Sequence, residues 1–361
     1  KSVFIEKSLG VDIREGSVSL TLVGKKLRTV EVLAGKTIAL KPLTGKDEKA
    51  EKHFLTKVNR FLIDHDTWPE SVVVSLPRSY VTFKTFELPA PDLESVRSMV
   101  EFELEHQFSA GLEDLYFTFQ ITPKAENIFH VASAAIKKEI ANYYLELVQK
   151  LNLKTTILDV STFANVNLAF SQEIESDSPI WALADISPET LDIALIKNDA
   201  IEFSRSLSWA RPAIKDANSG EISDPAQLKN LSKEITGSIV DELQQALSSC
   251  RSIEANELVG HIFVTGGGVL VPHITQQLEK ETEVSTTALQ APESVSPTLP
   301  ESFSPSFMLT SLGLSLRELK KQKVETNLLP ADIQPKRRKV NTKLTLALAA
   351  TVVLLLAGWF A

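Results

Sequence analysis

Hydrophobic and polar positions alternate over residues 9–23 and again over residues 180–196, and a short turn divides each stretch. A second turn at 197–199 and a further strand at 201–207 follow the later stretch. Every second side chain of a strand lies on the same face, so both patterns predict a strand–turn–strand hairpin. An aspartate, Asp12 or Asp185, comes just before each turn. The recurrence predicts an internal repeat of a half built from a sheet and helices.

Apolar residues at helical spacing predict helices over residues 49–64, 92–108, 137–151, 225–249, 272–282 and 307–321. Short apolar runs predict further strands at residues 72–75, 81–88, 115–121, 128–135, 155–159 and 261–265. Residues 285–305 are rich in Pro, Ser and Thr, and we expect an extended surface segment there. Strands and helices therefore alternate along the chain, which is typical of an α/β protein.

The last stretch, residues 344–361, contains no charged residue. A membrane-spanning helix needs about 20 such residues. Basic side chains lie immediately before it, at Lys336, Arg337, Arg338, Lys339 and Lys343. They predict one transmembrane helix with the preceding domain in the cytoplasm, at a bacterial inner membrane. We expect the span to continue past residue 361; the alternative is a buried core helix.

Charge and cysteine content narrow the functional class. A net charge of -8 over 361 residues argues against a nucleic-acid binder, which needs a basic face. The single cysteine, Cys250, excludes an intrachain disulfide and fits a reducing compartment. Its sequence neighbours do not indicate a nucleophile.

Two aspartates and a glycine loop are the candidate ligand-binding residues. Asp12 and Asp185 lie at predicted strand ends, where carboxylates can hold Mg²⁺ through its waters. Tight turns present backbone N–H groups to phosphates, and the glycines at 266–268 allow a ligand close to the backbone. The alternative is structural: the aspartates cap turns, and the glycines form a tight strand-to-helix turn.

Three motifs resemble those of the actin-like ATPase superfamily: Gly-Val-Asp-Ile at 10–13, Ala-Asp-Ile at 184–186 and Val-Thr-Gly-Gly-Gly at 264–268. A further ordered set resembles the type IV pilus assembly protein PilM, at residues 87–89, 100–108, 134–139, 158–160 and 312–317. The resemblance covers residues 8–318. It implies a two-lobed actin-like cytoplasmic domain of ribonuclease H-like repeats over residues 1–321, with an inserted subdomain near 72–145 and a second lobe near 180–318.

The same resemblance implies ATP and Mg²⁺ as ligands, with the metal at Asp12 and Asp185. The implied cofactor-binding residues are Asp12, Gly16, Ser17, Asp185, Gly266, Gly267 and Gly268. The sequence departs from the family pattern at Arg14 and Glu15, where glycine and a small residue are expected, and at Pro188, which lacks an N–H. These departures predict weak phosphate binding and no ATP turnover.

A second resemblance follows the first. Thr-Asn-Leu-Leu-Pro at 326–330, a basic stretch and an apolar run resemble the start of PilN. In that family the peptide docks in a groove of PilM, which implies that Asn327, Leu328, Leu329 and Pro330 bind a partner surface, in cis or on a neighbouring chain. The alternative is that residues 322–343 are simply a linker. The order of domains also resembles GspL of type II secretion.

We therefore expect an inner-membrane scaffold of a type IV pilus or a type II secretion system. It would join the motor ATPase to periplasmic components through PilN/PilO-like or GspM-like proteins, act without catalysis, and form a homodimer in one version of the hypothesis. The alternatives are a nucleotide-binding actin-like switch and an FtsA-like cell-division protein.

Overall fold

The computed structural model describes residues 4–330 and 332–334, apart from positions 46, 67, 109, 110, 175, 251 and 255. Contacts group residues 1–330 into one compact unit and the remaining residues into another. The predicted membrane segment and its basic flank lie outside the described residues. Within the described part of the chain, no helix has the length and apolar character that crossing a membrane requires.

The strands are β1 (Glu6–Ile13), β2 (Ser17–Lys25), β3 (Val30–Ala39), β4 (Ser71–Ser75), β5 (Thr82–Pro89), β6 (Leu115–Ala125), β7 (Ile128–Lys137), β8 (Ile157–Asp159), β9 (Ile180–Ile186), β10 (Thr190–Lys197), β11 (Ala200–Ser208), β12 (His261–Thr265) and β13 (Ser285–Ala288). The helices are α1 (Glu48–Asp64), α2 (Leu93–Gln107), α3 (Lys138–Gln149), α4 (Ser161–Ala169), α5 (Ala213–Ser219), α6 (Pro225–Ser249), α7 (Ile274–Thr282) and α8 (Pro305–Leu316).

Two five-stranded sheets have the same topology. The order is β3-β2-β1-β4-β8 in the first and β11-β10-β9-β12-β13 in the second. In each sheet an antiparallel three-strand meander precedes two parallel strands. The internal repeat predicted from the two Asp-bearing hairpins is confirmed, and we refer to the halves built on these sheets as the first and second lobes.

A third sheet, β5-β7-β6, forms a small subdomain with α2 on one face. It spans residues 82–137, inside the range of about 72–145 expected for an insertion. The run at 72–75 belongs elsewhere, because β4 pairs with β1 in the first sheet. The small sheet contacts the second lobe, where the Thr85 hydroxyl donates to the carbonyl of Glu202 in β11.

Helix α8 lies against the centre of the first sheet. Its residues from Met308 to Leu316 are all buried, which agrees with a helix that is apolar on every side. It approaches β1 so closely that a Cβ on Gly10 would come within 1.9 Å of the Ser311 carbonyl oxygen. Gly10 therefore permits the contact that brings α8, and with it Thr310, to the end of β1.

The segment at 285–305 differs from the surface segment predicted for it. Its first residues form β13, which pairs in parallel with β12. Leu289, Val295 and Phe303 further along are buried. The high Ser and Thr content suggested a loop. Threonine is β-branched, however, and also suits a strand at the edge of a sheet.

Candidate functional site in the cleft

The two Asp-bearing hairpins meet at a cleft between the lobes. Asp12 is near the end of β1 beside Ser75 of β4, and Asp185 is near the end of β9 beside Thr265 of β12. Both aspartates thus lie at the carboxyl ends of parallel strand pairs, where open α/β sheets bind their ligands. Each is only 1% exposed.

Arg14 lies between the two aspartates and contacts both. Its Nε donates to Asp12 Oδ2 at 2.7 Å, while Nη1 and Nη2 donate to Asp185 Oδ1 and Oδ2 at 3.0 and 2.7 Å. Nη2 also donates to the Thr310 hydroxyl at 2.8 Å. Four hydrogen bonds therefore use most of the donor capacity of one guanidinium.

The remaining carboxylate positions are also bonded to neighbouring side chains. Ser75 Oγ donates to Asp12 Oδ1 at 2.7 Å, and Asn165 Nδ2 donates to Asp185 Oδ2 at 3.1 Å. Burial acts to lower the pKa of Arg14, but the charges and hydrogen bonds of Asp12 and Asp185 outweigh it. The pKa of Arg14 lies well above its ordinary value as a result, so this cation is permanent.

A further carboxyl group lies behind Asp185. Asp192 of β10 is the cross-strand partner of Asp185 and is 4% exposed. Burial, and then the charge of Asp185, raise the pKa of Asp192 to about 7, although Arg78 opposes the change. The floor of the cleft therefore contains more buried carboxyl groups than Arg14 alone neutralises.

The glycines at 266–268 form the predicted strand-to-helix turn after β12. Gly266 has φ +84°, and a Cβ there would lie 2.5 Å from both Asp185 Oδ1 and the Ile186 carbonyl oxygen. A Cβ on Gly268 would lie 2.1 Å from Ile186 Cγ2. Close packing on the end of β9 therefore requires these glycines, whether or not a ligand binds there.

A cavity of about 400 Å³ opens above Arg14. Four of the predicted cofactor residues line it with Arg14, namely Gly16, Ser17, Gly266 and Gly267. Its wall also carries Glu15 and Glu189. Burial, and then the charge of Glu15, raise the pKa of Glu189. Two carboxylates thus face a space in which the family pattern implies phosphates.

Among the described residues, no group of three or more His, Cys, Asp or Glu side chains is arranged to hold a metal ion. Cys250 is buried at the end of α6, where burial and then the charge of Glu202 raise the pKa of its thiol to about 12. A thiol of that kind is not a nucleophile at neutral pH.

The structure also places residues 322–330, which we call the tail, in a groove of the first lobe. Val324, Leu328 and Leu329 are 2–4% exposed. The Leu328 N–H donates to the Leu158 carbonyl at 2.8 Å, and the Leu158 N–H donates to Asn327 Oδ1 at 3.0 Å. The tail thus lies along the edge of β8 and makes one main-chain hydrogen bond to it.

Side chains from two elements fix the tail at other points. Asn167 of α4 pairs with both backbone groups of Val324, accepting at 2.9 Å and donating at 3.0 Å. The Thr118 hydroxyl of β6 accepts from the Asn327 N–H at 3.2 Å. These bonds satisfy the backbone of a segment whose sequence is that of a polar linker.

Arg317 connects the tail to the edge of the sheet. Its Nε donates to Asp159 Oδ2 at 2.8 Å, and its Nη2 donates to the Thr326 carbonyl at 2.6 Å. Both members of this ion pair are buried. The sequence motifs at 158–160 and 312–317 are therefore neighbours in space, a role that the sequence did not reveal.

Known proteins resemble this chain in sequence and in fold. The profile of the family described as type IV pilus assembly protein PilM matches residues 10–214. The solved PilM-PilN type IV pilus biogenesis complex is similar in structure, with a TM-score of 0.68 at 20% identity, over 87% of this chain and 99% of that one. This likeness supports the actin-like α/β fold expected from the motifs.

Two further solved structures show weaker likeness. The cytoplasmic domain of EpsL, an inner-membrane component of the type II secretion system of Vibrio cholerae, gives a TM-score of 0.47 at 12% identity, over 91% of this chain and 99% of that one. The ethanolamine utilization protein EutJ from Carboxydothermus hydrogenoformans gives 0.49 at 10% identity, over 88% and 91%. No curated protein sequence matches the chain.

Proposed function

Because the chain belongs to the family of the type IV pilus assembly protein PilM, we propose that it is a cytoplasmic-side scaffold of an inner-membrane assembly platform. The platform would be that of a type IV pilus or a type II secretion system. In this proposal the chain acts through protein contacts, and it joins a motor ATPase to PilN/PilO-like or GspM-like proteins.

The docked tail is the observation that carries the proposal. In the sequence, the tail comes between the folded domain and residues 344–361, the proposed membrane segment. Burying Leu328 and Leu329 stabilises the docked state by about 1.5–3 kcal/mol each, before the entropy of ordering is subtracted. A tail held by apolar and main-chain contacts can fix the domain to the proposed membrane segment, as a scaffold requires.

The sequence of the tail resembles a PilN-like anchor, and one of the similar solved structures is a PilM-PilN complex. We propose that the two parts are fused in this chain, so that Asn327, Leu328, Leu329 and Pro330 form in cis a contact resembling that between two proteins. Fusion raises the effective concentration of the anchor and keeps the groove filled at any protein concentration.

Crosslinking in the cell tests this function. An amino-terminally tagged chain is crosslinked in a cell that makes the pilus or secretion system, and the captured proteins are identified. We expect assembly-platform proteins with the wild type, and fewer of them with the Leu328→Ser, Leu329→Ser double variant. Leu258→Ser is the control, because Leu258 is 75% exposed and remote in sequence from the tail. Capture of no platform protein from a cell that assembles the machine would refute the proposal.

A further inference from the structure

The cleft has the position of an actin-like nucleotide site, yet its residues do not fit Mg²⁺ and a nucleotide. We infer that the Arg14 guanidinium takes the position between the two aspartates that Mg²⁺ would occupy, so that the two lobes are joined here without any nucleotide. The inference concerns the cleft alone and does not depend on the proposed platform role.

The carboxylate oxygens that a metal would need are already bonded. Asp12 uses Oδ1 for Ser75 and Oδ2 for Arg14, and Asp185 uses both oxygens for Arg14 and one of them also for Asn165. Mg²⁺ demands near-octahedral oxygen coordination and dehydrates reluctantly. It would have to displace a guanidinium that is bonded to both carboxylates, which is unfavourable.

Some of the backbone donors in the two turns already have partners. In the first turn the Arg14 N–H donates to the Ser17 carbonyl at 2.9 Å. In the second, Ser187 Oγ accepts from the N–H groups of Glu189 and Thr190 at 3.3 and 2.9 Å. Pro188 between them has no N–H. These three N–H groups are therefore committed to the hairpins and are not available to phosphates.

Charge disfavours a nucleotide as well. Glu15 and Glu189 line the cavity directly above Arg14. Lys41 and Lys215 also line it, so the wall carries both signs of charge rather than a cationic surround. Arg14 has little donor capacity left for an incoming anion. A triphosphate would meet the carboxylates of Glu15 and Glu189, and like charges in a partly buried site repel strongly.

The same contacts join the two lobes across the cleft. Arg14 belongs to the first lobe and Asp185 to the second, while Thr310 of α8 accepts from the guanidinium between them. Paired N–H···O contacts between arginine and a carboxylate are directional as well as strong. Here the lobes are joined by a covalently attached side chain, which a cycle of nucleotide hydrolysis would not release.

Replacing Arg14 by glycine provides the test, because Arg14→Gly restores the Asp-x-Gly order of the actin-like pattern and removes the cation. The full-length chain is compared with Arg14→Gly and with Arg28→Gly, whose arginine is exposed in the next hairpin turn of the same sheet. Thermal unfolding is followed with no addition, with Mg²⁺ alone and with Mg-ATP.

We expect the wild-type and Arg28→Gly midpoints to be alike and to be unmoved by Mg²⁺ or Mg-ATP. The Arg14→Gly midpoint should be lower. A saturable rise of the wild-type midpoint with Mg-ATP would overturn the inference, because ligands that bind the native state stabilise it. An Arg14→Gly midpoint equal to that of Arg28→Gly would overturn it too.

Arg14→Lys keeps the test decisive if the glycine variant does not fold. Lysine retains the charge but cannot bridge both carboxylates with a planar fork. We expect faster amide hydrogen exchange at the β1–β2 turn and at the glycines after β12 than in the wild type, with Arg28→Lys unchanged. Equal exchange in Arg14→Lys and the wild type would show that the bridge does not hold the lobes.

Discussion

Arg14 and Asp185 are 171 positions apart in the sequence and are joined by two hydrogen bonds, Nη1 to Oδ1 at 3.0 Å and Nη2 to Oδ2 at 2.7 Å. The bond pair crosses between the two repeated halves at the point where their Asp-bearing hairpins meet. A single partly buried guanidinium therefore joins the halves where an actin-like protein would be expected to hold its ligand.

The first prediction concerns the stability that this ion pair gives. Arg14→Ala leaves Asp12 and Asp185 buried without their cation, and breaking such a pair costs about 3–5 kcal/mol of the free energy of unfolding. Urea unfolding measures the loss. Arg28→Ala, at an exposed turn, should stay within about 0.5 kcal/mol of the wild type. Equal losses in the two variants would show that the cleft contacts contribute little.

The second prediction concerns pH and Asp192. Its pKa is raised to about 7 by burial and by Asp185. Between about pH 4 and pH 7 the folded state keeps a proton that the unfolded state releases, so the free energy of unfolding falls as pH rises, by at most about 1.4 kcal/mol per pH unit.

Asp192→Asn removes the titrating group while keeping an oxygen that can accept from Ser206. We expect a shallower fall over this pH range and a variant more stable than the wild type at about pH 8. Unfolding measured across the pH range checks this, with the exposed Asp177→Asn as control. An unchanged slope in Asp192→Asn would mean that Asp192 does not hold its proton in the folded state.

The third prediction compares two glycines. Gly266→Ala forces a Cβ onto a residue with φ +84° and within 2.5 Å of the Ile186 carbonyl oxygen, so it should cost more than about 2 kcal/mol. Gly237 lies inside α6 with nothing within 4 Å of its Cβ position. Gly237→Ala should stabilise by about 0.5–1 kcal/mol. The midpoints of chemical denaturation should therefore move in opposite directions; a stable Gly266→Ala would rule out the steric role assigned to this loop.

The fourth prediction concerns the tail. Asn327→Ala removes the side-chain oxygen that accepts from the N–H groups of Leu158 and Leu329, each at 3.0 Å. We expect trypsin to cleave after Lys321 and Lys323 several times faster in this variant, because proteases need a locally released chain. Asn59→Ala, at an exposed position of α1, should be cleaved like the wild type. Identical cleavage in all three proteins would argue that Asn327 does not hold the tail.

Much of the fold could be predicted because it is encoded locally. The alternating runs around Asp12 and Asp185 predicted the hairpins, and their recurrence predicted the repeat that both sheets show. The strand at Ser285–Ala288 could not be predicted in this way. It is short and rich in Ser and Thr, and only its parallel partner β12 makes it a strand.

The cleft shows the limit of motif reasoning. The sequence alone allows Arg14 to be judged only by its backbone requirements. On that basis it is a residue that disrupts a glycine turn. Its actual role depends on Asp185 and Thr310, which become neighbours only when the halves face each other. One local signal was present: Arg14 follows Asp12 by two positions, so both side chains leave an extended chain on the same face.

The docked residues of the tail could be recognised from the sequence, but their partner could not. Leu328 and Leu329 stood out as apolar residues in a polar stretch, and both are buried in the structure. The partner that fixes the tail, Arg317, carried no such signal, because an arginine at the end of a helix is usually solvated. Its ion pair with Asp159 depends on an approach between segments 158 positions apart.

Amide hydrogen exchange of the full-length chain tests the central claim, that the tail is a docked part of a fixed scaffold, most directly. The N–H groups of Val324, Leu328 and Leu329 should exchange as slowly as those of β8. In the Leu328→Ser, Leu329→Ser variant they should exchange at the rate of a free chain, while the second lobe stays protected. Rapid exchange of the tail in the wild type, or protection that survives both substitutions, would contradict the account.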